Sequence, residues 1–265
     1  MPIMTSQRQK IDDFLQKLIF ALFNILVFAT PFVFTWFNQE LFEFNKMIVV
    51  YLFTSLILAV WAGRSLIRKQ LLWKNRTHNY LVALFFFSQL LSTIFSMHQR
   101  TSIFGYYTRF NGGLLSIIAY LALFFAAQYN LSKKQLNLIL KNLLFAALLI
   151  SLYAIPEHFG HSLSCLIVTG KYNVACWVQD VQNRVFATFG QPNWLAGFLL
   201  MTIPLAIWQI WETMHNQGKK KTRWPIIFNL LLLFLLVTAL FFTKSRSGLL
   251  ALGVALLVQI IAEKF

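Results

Sequence analysis

Hydrophobic positions along this chain come as long unbroken runs, separated by short polar and basic clusters. An apolar run of about 20 residues is the length of helix that crosses a bilayer, where every backbone polar group must be paired within the segment. A window of that size finds eight such runs, near 18–37, 46–63, 79–96, 112–130, 137–156, 192–213, 225–243 and 247–262. The pattern predicts an all-α integral membrane protein, a polytopic helical bundle of about eight transmembrane helices. No repeat, low-complexity tract or soluble domain interrupts it, so residues 1–265 are expected to form a single membrane domain.

Composition agrees with the pattern. The chain is 58% hydrophobic and only 12% charged, with 28 phenylalanines; a soluble domain carries about 25% charged residues. Its net charge of +15 would suit nucleic acid, but the basic residues sit in short clusters between apolar runs and form no basic face or arm. Nucleic acid is therefore not expected as a partner. Arg8, Lys10 and Lys17 precede the first run without a small-residue cleavage site, which reads as a retained first helix.

The basic residues also orient the chain. With the N-terminus inside, the inner set is Arg8, Lys10, Lys17, Arg64, Arg68, Lys69, Lys74, Arg76, Lys133, Lys134, Lys141, Lys219, Lys220, Lys221, Arg223 and Lys264, sixteen in all. The outer set is Lys46, Arg100, Arg109, Lys171, Arg184, Lys244 and Arg246, seven in all. Cytoplasmic loops are the ones enriched in Lys and Arg, so the expected topology is N-in and C-in. Cys165 and Cys176 then fall in the longest outer connection, near 157–191. An extracytoplasmic compartment preserves disulfides, and closing this loop would add about 3 kcal/mol in the chain-entropy model. The alternative is two free thiols near the interface.

Three outer arginines share one setting. Arg184 precedes a helix that begins at Pro192 and runs inward, so its N-terminus points to the outer surface. Proline suits the first helical position, where its missing N–H would have been unpaired. A helix N-terminus carries about half a positive charge and unpaired N–H groups, and arginine adds a fork suited to phosphate. Arg109 stands in TRFNGGLL before the run from Gly112, and Arg246 stands in TKSRSGLL before the run from Gly248. Ser245 or Ser247 could cap that last helix. The bland reading is arginines reaching lipid head groups from polar turns. The sharper one is an outer anion site for a phosphate or pyrophosphate carried on a lipid.

Two segments resemble a known family. RVFATFGQPNWLAGFLLMTIPLAI is followed about 50 residues later by LFFTKSRSGLLALGVALLV, and together they resemble the O-antigen ligase family of polytopic membrane glycosyltransferases. Gln191 stands where that family often has asparagine, and GYYTRFNGGLLSIIAYL is of a kind seen in its N-terminal half. The resemblance covers most of residues 100–262, with 184–265 as the start of the ligase-like core. It implies an enzyme that takes a glycan from an undecaprenyl-pyrophosphate carrier at the outer side of the bacterial cytoplasmic membrane. The acceptor would be a hydroxyl, on a lipid A core in the namesake case. No metal, nucleotide sugar or other cofactor is implied. Arg184 and Arg246 would grip the pyrophosphate as catalytic residues, with Arg109, Asn193, Ser245 and Ser247 as substrate contacts. Family members continue into further helices and a long outer loop carrying a functional histidine, so the chain is expected to be a partial member. His158 and His161 do not match that histidine, though either could act as a base with Glu157 or Asp180 beside it.

Other signals carry less. His158-x-x-His161 has metal-like spacing but no further ligands nearby. No glycine-rich nucleotide loop is present, and the sequons at 75–77 and 130–132 fall on the expected inner side. Competing readings are a polymerase extending a carrier-linked glycan, a ligase acting on proteins, and a transporter or non-catalytic membrane subunit. An ion-coupled transporter should place carboxylates within its spans, and only Glu212, at an inner helix end, comes near one.

Overall fold

A computed structural model describes residues 6–36, 40–70, 77–216 and 224–262. Of the inner basic set, Lys74, Arg76, Lys219, Lys220, Lys221, Arg223 and Lys264 lie outside the described residues, as do Asn75 of the first sequon and Phe37 at the end of the first predicted run. The described chain is all-helical, with no strand. In order, its helices are α1 (Ser6–Ala29), α2 (Glu43–Arg68), α3 (Thr77–Ile94), α4 (Gln99–Phe104), α5 (Leu114–Asn130), α6 (Lys133–His158), α7 (Leu163–Thr169), α8 (Pro192–Asn216), α9 (Trp224–Phe242) and α10 (Arg246–Ala262). Short 3-10 turns lie at Thr30–Phe32 and Ala187–Phe189.

Five of these segments are long and apolar enough to cross a membrane: Ser6–Phe32, Glu43–Arg68, Lys133–His158, Pro192–His215 and Trp224–Phe242. Three shorter apolar helices cover Asn79–Ile94, Leu114–Asn130 and Arg246–Ile261. The 17 residues of α5 or α10 rise about 26 Å, somewhat less than a hydrocarbon core of about 30 Å. Helix α1 starts at Ser6, well before the predicted start near residue 18. Its first turns carry Asp12, Asp13 and Lys17, which depress an apolar window but do not break a helix. The small helices α4 and α7 were also not expected, being too short for any span.

The chain packs as two compact units, Met1–Ile139 and Leu140–Phe265. In the first, Ile19, Phe23 and Leu26 of α1 form a core with Ile57 of α2, Ala126 of α5 and Ile139. A polar brace lies beside it. Arg64 Nε and Nη2 donate to Oδ1 and Oδ2 of Asp12 at 3.0 and 3.1 Å, and Nη1 donates to Asn130 Oδ1 at 2.7 Å. Arg68 Nη2 donates to the same Asp12 at 2.6 Å. Arg64, counted in the inner basic set, is thus a buried tie between α1, α2 and α5.

The loop before α5 folds tightly on itself. Gly105 has φ +84°, and a Cβ on Gly113 would lie 2.2 Å from the Gly105 nitrogen. Tyr51 Oη donates to the Phe110 carbonyl at 2.6 Å and fastens the loop to α2. Gly113→Ala must therefore push two backbone strands apart. We expect it to destabilise the first unit by about 2 kcal/mol or more, in the range of overpacked sites, read as a lowered thermal midpoint in detergent. An unchanged midpoint would show that the loop can open without cost.

In the second unit α8 packs against both α9 and α10. A Cβ on Gly248, in the first turn of α10, would lie 3.0 Å from the Ala196 Cβ of α8. Small residues at both positions let the two helices start side by side.

Candidate functional site

The segment between α7 and α8 alternates what it buries and what it shows. Val181, Val185, Phe186 and Ala187 are buried, whereas Gln182, Asn183 and Arg184 between them are exposed. The buried residues anchor the backbone, so the polar trio is presented from a fixed platform. Phe186 packs edge-on to Trp177 at 5.3 Å. The chain then makes the 3-10 turn at Ala187–Phe189 and passes Gly190, whose φ of +74° is the left-handed region glycine reaches freely. Pro192 opens α8, and the Gln191 carbonyl accepts the Leu195 N–H at 3.2 Å.

This platform is joined to the turn between α9 and α10. The Val185 N–H donates to the Phe242 carbonyl at 3.2 Å. Arg184 Nε donates to the Thr243 carbonyl at 3.2 Å, and its Nη2 donates to Asn193 Oδ1 at 3.2 Å. Lys244, in left-handed backbone at φ +48°, donates from Nζ to Asn183 Oδ1. The next residues cap α10: Ser245 Oγ accepts the Gly248 N–H at 3.2 Å, and the Ser245 carbonyl accepts the Leu249 N–H at 3.0 Å. Ser245 is therefore the N-cap, and the exposed Ser247 meets Ser245 Oγ at 3.2 Å.

Arg246 is the first residue of α10 and is exposed, with no side-chain hydrogen bond or ion pair among the described residues. Arg184, Lys244 and Arg246 thus cluster at one turn, beside the adjoining N-termini of α8 and α10. Both helix ends and all three cations favour an anion there. Asn193, Ser245 and Ser247 lie in the same patch.

Arg109 belongs to the first unit. Its Nε lies 3.3 Å from Glu43 Oε2, and its guanidinium sits 5.5 Å from the Tyr106 ring centre. That charge is already matched by a carboxylate, unlike that of Arg246.

The other end of α6 meets the same turn. His158 stacks on the Phe242 ring, 4.0 Å between centres and 17° from parallel. Its Nδ1 lies 2.7 Å from the Gln182 carbonyl, which can only accept, so Nδ1 is the donor of that bond and the neutral ring would present Nε2 as an acceptor. His161 lies away from this stack, with Nδ1 at 3.0 Å from the Phe159 carbonyl and its ring near Tyr172. No group of three His, Cys, Asp or Glu side chains suited to a metal occurs among the described residues.

Beneath the platform lies Glu157, fully buried. Its Oε1 accepts from Ser162 Oγ at 2.9 Å and its Oε2 accepts the Ala187 N–H at 2.8 Å. Trp177 Nε1 donates to Ser162 Oγ at 3.3 Å. Glu157 was expected beside a histidine as part of a base, and its partners are instead Ser162 and the Ala187 N–H. Glu157 directly follows the apolar run 137–156 and lies within the span-length helix Lys133–His158, so the expectation that only Glu212 comes near a span fails here.

Cys165 and Cys176 are joined by a disulfide that ties α7 to the strand of chain leading to Trp177. Cys165 is fully buried, and its chain neighbour Ser164, also buried, pairs with Tyr153 of α6. Replacing both cysteines by alanine is expected to lower stability by about 3 kcal/mol and to make 170–177 the first protease site. Equal protease resistance in the variant and the parent would contradict this.

Comparison with protein-family models, with curated proteins and with solved structures found no match to this chain.

Proposed function

We propose that the end of the second unit formed by α8, α9 and α10 is a pyrophosphate site, and that the protein transfers a glycan from a lipid-linked pyrophosphate to an acceptor hydroxyl. The observation that carries this reading is that Arg184 bonds the Thr243 carbonyl, in the turn that also carries Arg246, although 59 positions separate Arg184 from Thr243. The two segments that resemble the O-antigen ligase family supply these arginines.

The chemistry follows from the charges. Transfer breaks the bond between the sugar C1 and the pyrophosphate oxygen, and the electron pair leaves with the pyrophosphate. Negative charge grows there, so fixed cations and helix N-termini stabilise the transition state more than the bound donor. Arg184, pinned by Thr243 and Asn193, is oriented before the donor arrives, which spares reorganisation. Arg246, exposed and without a side-chain partner among the described residues, is the second grip. The acceptor hydroxyl gives up its proton as its oxygen bonds to C1, and His158 Nε2 is the acceptor in this patch for that proton.

In this reading the spans are N-in and C-in across a bacterial cytoplasmic membrane, with α3, α5 and α10 completing eight crossings. The site then faces outward, where lipid-linked glycans are used. The acceptor class, whether lipid A core, carrier-linked glycan or protein, is set by surfaces other than the arginine turn. The test is binding of an undecaprenyl-pyrophosphate oligosaccharide to the protein in nanodiscs. Parent protein should bind and Arg246→Ala should not; equal binding by both would overturn the proposal.

A further inference from the structure

We propose that Glu157 is the positioning residue of the pyrophosphate site, acting through the backbone of Ala187 and touching neither donor nor acceptor. The inference rests on the anion reading above. Ala187 has φ +49°, a left-handed conformation that an alanine adopts only at a cost in free energy. It is fully buried, so its N–H has no water to turn to. Among the described residues that N–H donates to Glu157 Oε2, at 2.8 Å.

The place of that strain matters. Arg184 lies three residues before Ala187, and Pro192 opens α8 five residues after it. The Ala187 turn therefore sets the angle between the arginine and the helix N-terminus that would share its anion. Releasing the turn lets the exposed trio 182–184 move relative to α8. Arg184 would then reach Asn193 and the Thr243 carbonyl less often.

Glu157 is itself held rigid. Ser162 donates to its other oxygen, and Trp177 donates to Ser162, so a relay runs from the disulfide loop to the turn. With both oxygens occupied and no exposed surface, Glu157 is not placed to take a proton from an acceptor. It is a brace made from a carboxyl group, whose two oxygens serve a buried N–H and a buried hydroxyl at once.

The test uses the full chain in nanodiscs and inorganic pyrophosphate as probe, with Arg184→Ala as control. Parent protein that fails to bind, or an Arg184→Ala variant that binds equally well, would sink the anion reading whatever Glu157 does. Given that control, Glu157→Ala should bind about tenfold more weakly or worse. Adding Ala187→Gly to it should recover most of the affinity, because glycine holds this φ without a brace. A purely stabilising Glu157 would gain nothing from that glycine in the probe titration. Glu157→Gln keeps an oxygen for the Ala187 N–H and should stay within about threefold of the parent. It also decides the matter if Glu157→Ala does not fold. Parent-like binding by Glu157→Ala, a loss that Ala187→Gly leaves unchanged, or a tenfold loss in Glu157→Gln would each overturn the proposal.

Discussion

On the proposed function, Arg246→Ala should lower glycan transfer by about 10²–10³, the range seen when one fixed donor to a developing negative charge is removed. The fold does not need this side chain, which is exposed and unpaired among the described residues. Protein yield and thermal midpoint should stay at parent values while turnover collapses. Arg246→Lys should recover only part of the rate, since a point charge cannot hold two phosphate oxygens in one plane. Arg184→Ala should be at least as damaging. It also releases the Thr243 carbonyl and Asn193, so here a small drop in stability is expected beside the lost transfer. The measurement is release of undecaprenyl pyrophosphate from a lipid-linked donor by each purified variant. Parent-like turnover in Arg246→Ala would remove the leaving-group assignment altogether.

Asp12→Ala should be the most destabilising single change in the first unit. Its carboxylate receives Arg64 and Arg68, and the Arg64 side chain is only 4% exposed. Removing one member of a buried pair strands the other charge, which costs roughly 3–5 kcal/mol. Asn130 would still hold one Arg64 nitrogen, so the arginine is not wholly abandoned. Asp12→Ala with Arg64→Met should be milder than Asp12→Ala alone, because no charge is then left buried. Thermal unfolding in detergent reads both. A double variant less stable than the single one would show that the brace acts through something other than charge pairing.

Long apolar runs mark helices because a helix is the structure that pairs all its own backbone groups, and that requires no knowledge of neighbours. Hence each of the runs falls largely on a helix of the described chain, and five of those segments are long and apolar enough to cross a membrane. Their ends were less legible. Asp12 reads as a reason to start α1 later, until Arg64, 52 positions on, neutralises it. Ser245 and Ser247 were equal candidates for the cap of α10, and only the Gly248 N–H chose between them.

The candidate site divides along the same line. Residue type and flanking turn pick out Arg184 and Arg246, because cation, glycine and helix start are neighbours in the chain. Their meeting is not local: Arg184 finds Thr243 across 59 positions, through the packing of α8, α9 and α10. Glu157 reaches Ala187 across 30. A carboxylate at a helix end looks alike whether it is solvated or buried as a brace. Composition and run length were enough for an all-helical chain with span-length apolar helices, since those follow from solvent and backbone alone. Which charges pair, which serine caps and which arginine stays unpaired depend on which surfaces come within hydrogen-bond reach, and only the packed helices decide that.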